Sequence, residues 1–325
     1  MTPPRIGVTL GDPGGIGPEI VLKSAARNPA GGSAEYVLFG DARVIANEAA
    51  ALGMSWDAEP WVPDDPARPG LFIRDIPIAG AGAVRGRPTP ENGRASFRFF
   101  EEAVASARNG RLDAVVTAPI SKAGWNMAEV PWRGHTEFLE QFYPAAVMSF
   151  WSRALKVALL SHHVPLKEAL ARITRDVLIA YIRNLDACLK RLEGGPAELL
   201  VAGLNPHAGE AGLLGTEDEN DIRPAVEAAQ SVGVRVSGPY PPDTVFLKAL
   251  GREDTLVIAL YHDQGLIPFK LEAFSSGVNA TLGLPFVRTS PDHGTAFDIA
   301  GKGLADPRSM TEAMALALRF VSGKA

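Results

Sequence analysis

The run Thr255-Leu256-Val257-Ile258-Ala259-Leu260-Tyr261 leads straight into His262-Asp263-Gln264-Gly265. The first stretch carries no charge and is rich in branched aliphatic residues. It reads as a strand covered on both faces, because a strand with one face in water alternates apolar and polar residues. The polar, glycine-bearing segment behind it reads as the loop at the strand's carboxyl end. The same grammar recurs along the chain at Ile6–Leu10, Tyr36–Phe39, Asp113–Ala118, Lys156–Leu160 and Glu198–Leu204. Helical patterns lie between these runs. Ala95–Ala107 places Phe99, Ala103 and Ala107 on one face, and Arg175–Leu192 follows Thr174, a residue suited to cap a helix start. This alternation predicts an α/β fold with a largely parallel or mixed sheet. Glu59–Gly93, rich in proline and glycine, reads as a surface excursion with a small edge hairpin. No linker divides the chain, so a two-lobed arrangement has to come from segments that cross over.

Bulk properties narrow the function classes. The 325 residues are 46% hydrophobic and 21% charged, and the net charge of −5 is spread along the chain. No basic block interleaved with aromatics points to nucleic acid, and no apolar run is long enough to span a membrane. The start, Met1-Thr2-Pro3-Pro4-Arg5, lacks the apolar core of a signal peptide. The single cysteine, Cys188, excludes an intrachain disulfide and a cysteine-based zinc cluster, and it reads as a small core residue. The expectation is a cytoplasmic protein.

Polar residues gather where strands end. The chain has six histidines, and three of the strand runs are followed closely by one: His163 after Lys156–Leu160, His207 after Glu198–Leu204 and His262 after Thr255–Tyr261. If these strands are parallel, the three imidazoles emerge on one rim, where ligands bind in open α/β sheets. Imidazole is a common ligand for zinc and similar divalent cations, and three protein ligands leave positions open for substrate. Spacing alone leaves open whether each is only a hydrogen-bonded loop residue, and whether His162 or His163 is the one that points to the rim.

Two further groups carry chemistry. Gly134-His135-Thr136-Glu137 opens a helical run, and Lys270, Asn279 and Arg288 follow downstream; a guanidinium, an ammonium and backbone N–H groups at a helix start suit a phosphate or carboxylate, while ordinary surface charges remain the alternative for Lys270 and Arg288. The polar stretch Ser290–Gly303 can either wrap an adenosine, with His293 against the base and Asp298 near the ribose, or stand as an ordered surface loop capping the last helix. The earlier loop Gly11–Glu19 lacks Gly-x-Gly-x-x-Gly spacing and is interrupted by two prolines, so a dinucleotide phosphate loop is rejected there. A tight turn that starts a helix at Pro18 accounts for it equally well.

Taken in order, the motifs Gly11-Asp12-Pro13, Thr117-Ala118-Pro119-Ile120-Ser121-Lys122, Gly134-His135-Thr136-Glu137, His163-Val164-Pro165-Leu166, Asn205-Pro206-His207-Ala208-Gly209-Glu210, Tyr261-His262-Asp263-Gln264-Gly265 and Asp292-His293-Gly294-Thr295-Ala296 run nearly end to end. In this order the chain resembles the 4-hydroxythreonine-4-phosphate dehydrogenases of pyridoxal 5′-phosphate synthesis. Gly14, where the family commonly has alanine, is a minor departure.

The resemblance implies a fold similar to isocitrate and isopropylmalate dehydrogenases, two α/β lobes with a central cleft. One lobe is expected over 1–127 with 285–325 and the other over 128–284. The implied reaction is NAD-dependent oxidation of 4-phosphooxy-L-threonine at C3, followed by decarboxylation to 3-amino-2-oxopropyl phosphate, with NADP as an alternative acceptor. The metal ligands carry over to His163, His207 and His262, which sets His162 aside. The metal itself is left among zinc, cobalt, magnesium and manganese. Substrate contacts carry over to His135, Thr136, Lys270, Asn279 and Arg288, and the adenosine loop to His293, Gly294 and Asp298. Lys122 is a candidate for assisting proton transfer and Asp243 for orienting the substrate amine or a metal-bound water, with a helix-cap role an equal alternative for Asp243. The family also implies a homodimer that shares each metal site between subunits. A related dehydrogenase acting on 4-phospho-threonate or an aromatic cis-dihydrodiol is the nearest rival, and a metal-dependent hydrolase a more distant one.

Overall fold

A computed structural model describes residues 2–27, 32–192 and 195–322. Twelve strands run in chain order: β1 Arg5–Thr9, β2 Glu35–Gly40, β3 Glu59–Pro60, β4 Gly70–Asp75, β5 Ala114–Thr117, β6 Val147–Trp151, β7 Lys156–Leu159, β8 Glu198–Ala202, β9 Val236–Tyr240, β10 Thr255–Ala259, β11 Val278–Leu282 and β12 Val287–Pro291. They divide between two compact units. The first is Met1–Pro144 with Leu284–Ala325, and the second is Ala145–Gly283.

The first unit carries the strand order β3-β4-β2-β1-β5-β12. Its pairings are all parallel. β2 and β5 are buried along their whole length, as expected of the apolar runs Tyr36–Phe39 and Ala114–Val116 when both faces are covered. The helix Pro90–Arg108 packs there through Phe99, Phe100 and Ala103, all 0% exposed. Thr89 caps it, accepting the Asn92 N–H at 3.2 Å. The expected edge hairpin is corrected: β3 and β4 pair in parallel, Glu59 opposite Phe72. A parallel pair needs a crossover rather than a tight turn, and the proline-rich segment between Pro60 and Gly70 supplies it.

The second unit carries the order β11-β6-β7-β10-β8-β9. β6 runs antiparallel to both of its neighbours, β11 and β7, while β7, β10, β8 and β9 are parallel. Its core gathers Phe150, Val157, Leu200, Val257, Leu266 and Phe269. The helix His262–Ala273 lies close against β7, because a Cβ at Gly265 would stand 2.7 Å from Leu159 Cδ2. That helix is apolar on both sides. Leu266, Phe269 and Ala273 are buried, while Ile267, Leu271 and Phe274 just beyond its end are 60%, 84% and 79% exposed.

The helix expected over Arg175–Leu192 ends at Leu189. Thr174 stands at its cap position but makes no side-chain cap bond; the Arg175 N–H goes to Asp221 Oδ1 at 3.1 Å instead. Cys188 is buried, as its apolar-periodic surroundings predict. Among the described residues no helix is long and apolar enough to cross a membrane.

Candidate active site

In the first unit, β12 places Arg288 opposite Val115 of β5. Arg288 is 5% exposed, and its Nη2 donates to Thr117 Oγ1 at 2.7 Å. The same nitrogen is 3.2 Å from His135 Nδ1. The His135 ring packs against Phe100 and Trp125, with centroids 4.4 and 5.6 Å away. Burial, and then the charge of Arg288, hold the imidazole pKa well below its ordinary value, so the ring is neutral. Burial also lowers the Arg288 pKa to about 10, which leaves it charged at neutral pH. A guanidinium only donates, so His135 Nδ1 accepts and the ring proton sits on Nε2. Nε2 is buried and has no hydrogen-bond partner among the described residues. A buried cation beside a neutral N–H donor is chemistry that suits an anionic oxygen.

Thr136 follows His135 in the short helix His135–Glu140. Lys122 begins the helix Lys122–Met127, which Ser121 caps by accepting the Gly124 N–H at 3.0 Å. Its aliphatic chain lies beside Gly134, where a Cβ would be 3.6 Å from Lys122 Cε. Lys122 is thus brought to the His135 loop.

The two glycine-bearing loops of this unit adjoin: the Ile16 N–H donates to Thr295 O at 3.0 Å, and a Cβ at Gly15 would stand 2.8 Å from the same carbonyl. His293 is half-buried, its Nδ1 donating to Gly294 O at 3.1 Å, and Asp298 is exposed. Asp12, not singled out from the sequence, is 0% exposed. Its Oδ1 accepts the Gly14 N–H at 2.8 Å, and burial pushes the carboxyl up to about 6 despite that bond. The only sequence signal for it was its place in a glycine-rich turn.

In the second unit, β10 lies between β7 and β8, and all three run parallel. Their carboxyl ends therefore share one rim, and His163, His262 and His207 all follow them. The His163 and His262 rings are 5.8 Å apart and line one cavity of about 290 Å³ with Ser161, His162, Tyr261 and Asp263. His262 Nδ1 is 2.6 Å from Asp263 Oδ1. A carboxylate on one ring nitrogen leaves the other for a cation, the usual support for a histidine ligand.

His207 opens an unusual segment. Residues 207–211 all have positive φ, from 45° to 79°, in a left-handed turn that includes four residues other than glycine. Each such residue costs about 1–2 kcal/mol, so surrounding bonds must hold the turn. The His207 side chain is 62% exposed, with Nδ1 3.6 Å from Glu210 Oε1. His163 also has positive φ, 23°. Among the described residues no group of three His, Cys, Asp or Glu side chains stands close enough together to hold a metal ion. One chain thus joins two of the expected ligands directly and presents the third outward on the same rim.

Asp243 is exposed and makes no cap bond to the helix Val245–Ala249. It lines an open cavity of about 530 Å³ with Tyr261, Asp263, Gln264 and Ile267. Lys270 lies on the helix His262–Ala273 and Asn279 on β11, opposite Phe150 of β6; both are half-buried. Gln264 and Asp218 are buried polar residues near the rim that the sequence reading passed over.

Comparison with known proteins places these features in a family. The family model described as pyridoxal phosphate biosynthetic protein PdxA matches residues 32–317. A 4-hydroxythreonine-4-phosphate dehydrogenase from Acidithiobacillus ferrooxidans is 40% identical over 100% of this chain and 98% of its own length. The crystal structure of a 4-hydroxythreonine-4-phosphate dehydrogenase from Klebsiella pneumoniae superposes with a TM-score of 0.84 at 37% identity, covering 98% of this chain and 99% of that one. An isocitrate dehydrogenase from Methylococcus capsulatus gives a TM-score of 0.50 at 15% identity, covering 98% and 86%, a likeness of fold alone.

Proposed function

The chain belongs to the family of pyridoxal phosphate biosynthetic proteins PdxA, and from that premise we propose that it oxidises 4-phosphooxy-L-threonine at C3 with NAD⁺ and releases CO₂ to give 3-amino-2-oxopropyl phosphate. The observation that carries this reading is the pair His163 and His262, 5.8 Å apart on the rim that His207 also occupies. The donor set fits a divalent cation: three imidazoles, with a carboxylate already placed on His262 Nδ1. When bound, the cation supplies Lewis-acid polarisation of the substrate's C3 oxygen, in the alcohol and in the ketone.

The chain's own residues do the rest. Arg288 and the Nε2–H of His135 bind anionic oxygens of the substrate, with Thr136, Lys270 and Asn279 completing the contacts. Thr117 fixes the Arg288 fork through its hydroxyl. His293, Gly294 and Asp298 hold the adenosine of NAD⁺. As C3–H leaves as hydride to the nicotinamide, the C3 hydroxyl proton passes to a base. Lys122, beside the His135 loop, is the candidate for that proton, and Asp243 for orienting the substrate amine. The resulting β-keto acid loses its carboxylate as CO₂, and the carbanion left behind takes up a proton.

The working unit in this reading is a homodimer that shares its metal sites. Ile267, Leu271 and Phe274, with Leu247 at 72% exposure on the neighbouring helix, form an apolar face that water does not stabilise. A second copy of the chain covers it. That face borders the Asp243 cavity through Leu247 and Ile267, which links dimerisation to the site. A single buried cysteine suits the reducing cytoplasm as its compartment.

The test is direct. Purified protein is mixed with 4-phosphooxy-L-threonine, NAD⁺ and a divalent cation, and NADH absorbance is followed. Growth of NADH with release of CO₂ is the expected result. No signal from an intact, metal-loaded protein defeats the assignment, and faster turnover of 4-phospho-threonate in the same assay moves it to that substrate.

A further inference from the structure

Gln264 stands two residues beyond His262 and is 9% exposed. Its Oε1 accepts the Leu260 N–H at 2.7 Å, and its Nε2 donates to the Gly203 carbonyl at 2.8 Å. Leu260 is the residue after β10 and Gly203 the residue after β8. The ladder between these strands stops at Ile258 opposite Val201. One carboxamide therefore continues the connection past the end of the ladder, joining two backbone groups that strand pairing leaves open. These are the strands that deliver His262 and His207.

The Gly203 end is held from other sides as well. The Gly203 N–H donates to Tyr240 O at 2.7 Å. The Leu204 and Asn205 N–H groups donate to the two carboxylate oxygens of Asp218, at 2.8 and 3.0 Å, and Asp218 is 0% exposed. A Cβ at Gly203 would stand 2.8 Å from Asp218 Oδ1, so only glycine admits this approach. The left-handed turn that presents His207 begins directly after this clamped segment.

We propose that Gln264 is a positioning residue: its carboxamide, with Asp218 on the far side, sets the placement of the strand ends that carry His262 and His207, two of the three histidines read as cation ligands. This rests on the reading of the histidines as cation ligands. Groups that orient ligands in this way typically account for about tenfold to a hundredfold in metal affinity.

The experiment compares wild-type protein with Q264M, which keeps the side-chain length and loses both bonds, and with D218N. Zinc affinity is measured by competition with a chromogenic chelator, beside the thermal midpoint of each metal-free protein. Q264M is expected to bind zinc about tenfold to a hundredfold more weakly, and D218N more weakly than wild type. Equal zinc affinity in Q264M, with only a lower midpoint, overturns the positioning role and leaves a merely structural one. Wild-type protein that retains no zinc overturns the ligand reading itself, and the positioning role with it. Should both variants fail to fold, amide exchange in the wild type decides: exchange at Leu260 that zinc slows supports the bridge, and exchange that zinc leaves unchanged overturns it.

Discussion

Arg288 Nη2 lies 3.2 Å from Nδ1 of His135, a contact between a group that only donates and a ring nitrogen that must therefore accept. The neighbour thus dictates the tautomer, and the burial that lowers the ring's pKa keeps it uncharged. Nitrogen chemical shifts of His135 should report a bare Nδ1 and a protonated Nε2 throughout pH 6 to 8. A doubly protonated ring in that range, or a proton on Nδ1, contradicts this account of the anion pocket.

Arg288→Lys should be far from conservative. A lysine keeps the charge but cannot offer the planar fork that reaches Thr117 and an anion together. A hydrogen bond to a charged group is worth about 1.5–3 kcal/mol, so KM for the phosphorylated substrate should rise roughly tenfold to a hundredfold. Steady-state kinetics on the variant check this, and an unchanged KM removes Arg288 from the substrate contacts.

Asp12 should leave a mark on the pH dependence of stability. Its folded pKa of about 6 lies above the ordinary 3.8 of an unfolded aspartate, so the folded state holds the proton to higher pH. Stability from this group is present below about pH 4 and is lost as pH rises through about 6. The gap between 3.8 and about 6 corresponds to on the order of 3 kcal/mol. Asp12→Asn keeps an acceptor for the Gly14 N–H and removes the titration. The thermal midpoint of the variant should gain on wild type between pH 4 and pH 7.5; parallel curves count against the raised carboxyl.

Metal, turnover and association should fail together. His207→Ala should abolish metal retention and activity while the circular dichroism spectrum stays near wild type. Leu271→Glu puts a charge in the centre of the exposed apolar face and should shift sedimentation toward a monomer. If the site is shared between copies, that monomer also loses metal and turnover. A fully active monomer rules sharing out.

How much of this was legible beforehand follows from what each residue contacts. β1, β2, β5, β7, β8 and β10 stood out because strands covered on both faces must be apolar throughout. β11 and β12 did not, because Asn279 and Arg288 interrupt the pattern that would have revealed them. The histidines were visible because they follow recognisable strands. Gln264 and Asp218 were not, since they act on backbone groups brought near only by the fold. The left-handed turn at His207 was equally hidden. Its residues have no intrinsic preference for positive φ, apart from Gly209.

The chain leaves the first unit after Pro144 and returns to it at Leu284. Thr117 is therefore synthesised long before Arg288, its partner across β5 and β12. The second unit is one continuous stretch and has every strand it needs once residue 283 has emerged from the ribosome. The first has to wait, with the flank of β5 uncovered, until β12 is made. During synthesis the second unit is thus free to mature first, and the contact of Arg288 with Thr117 and His135 is among the last parts of the molecule to exist.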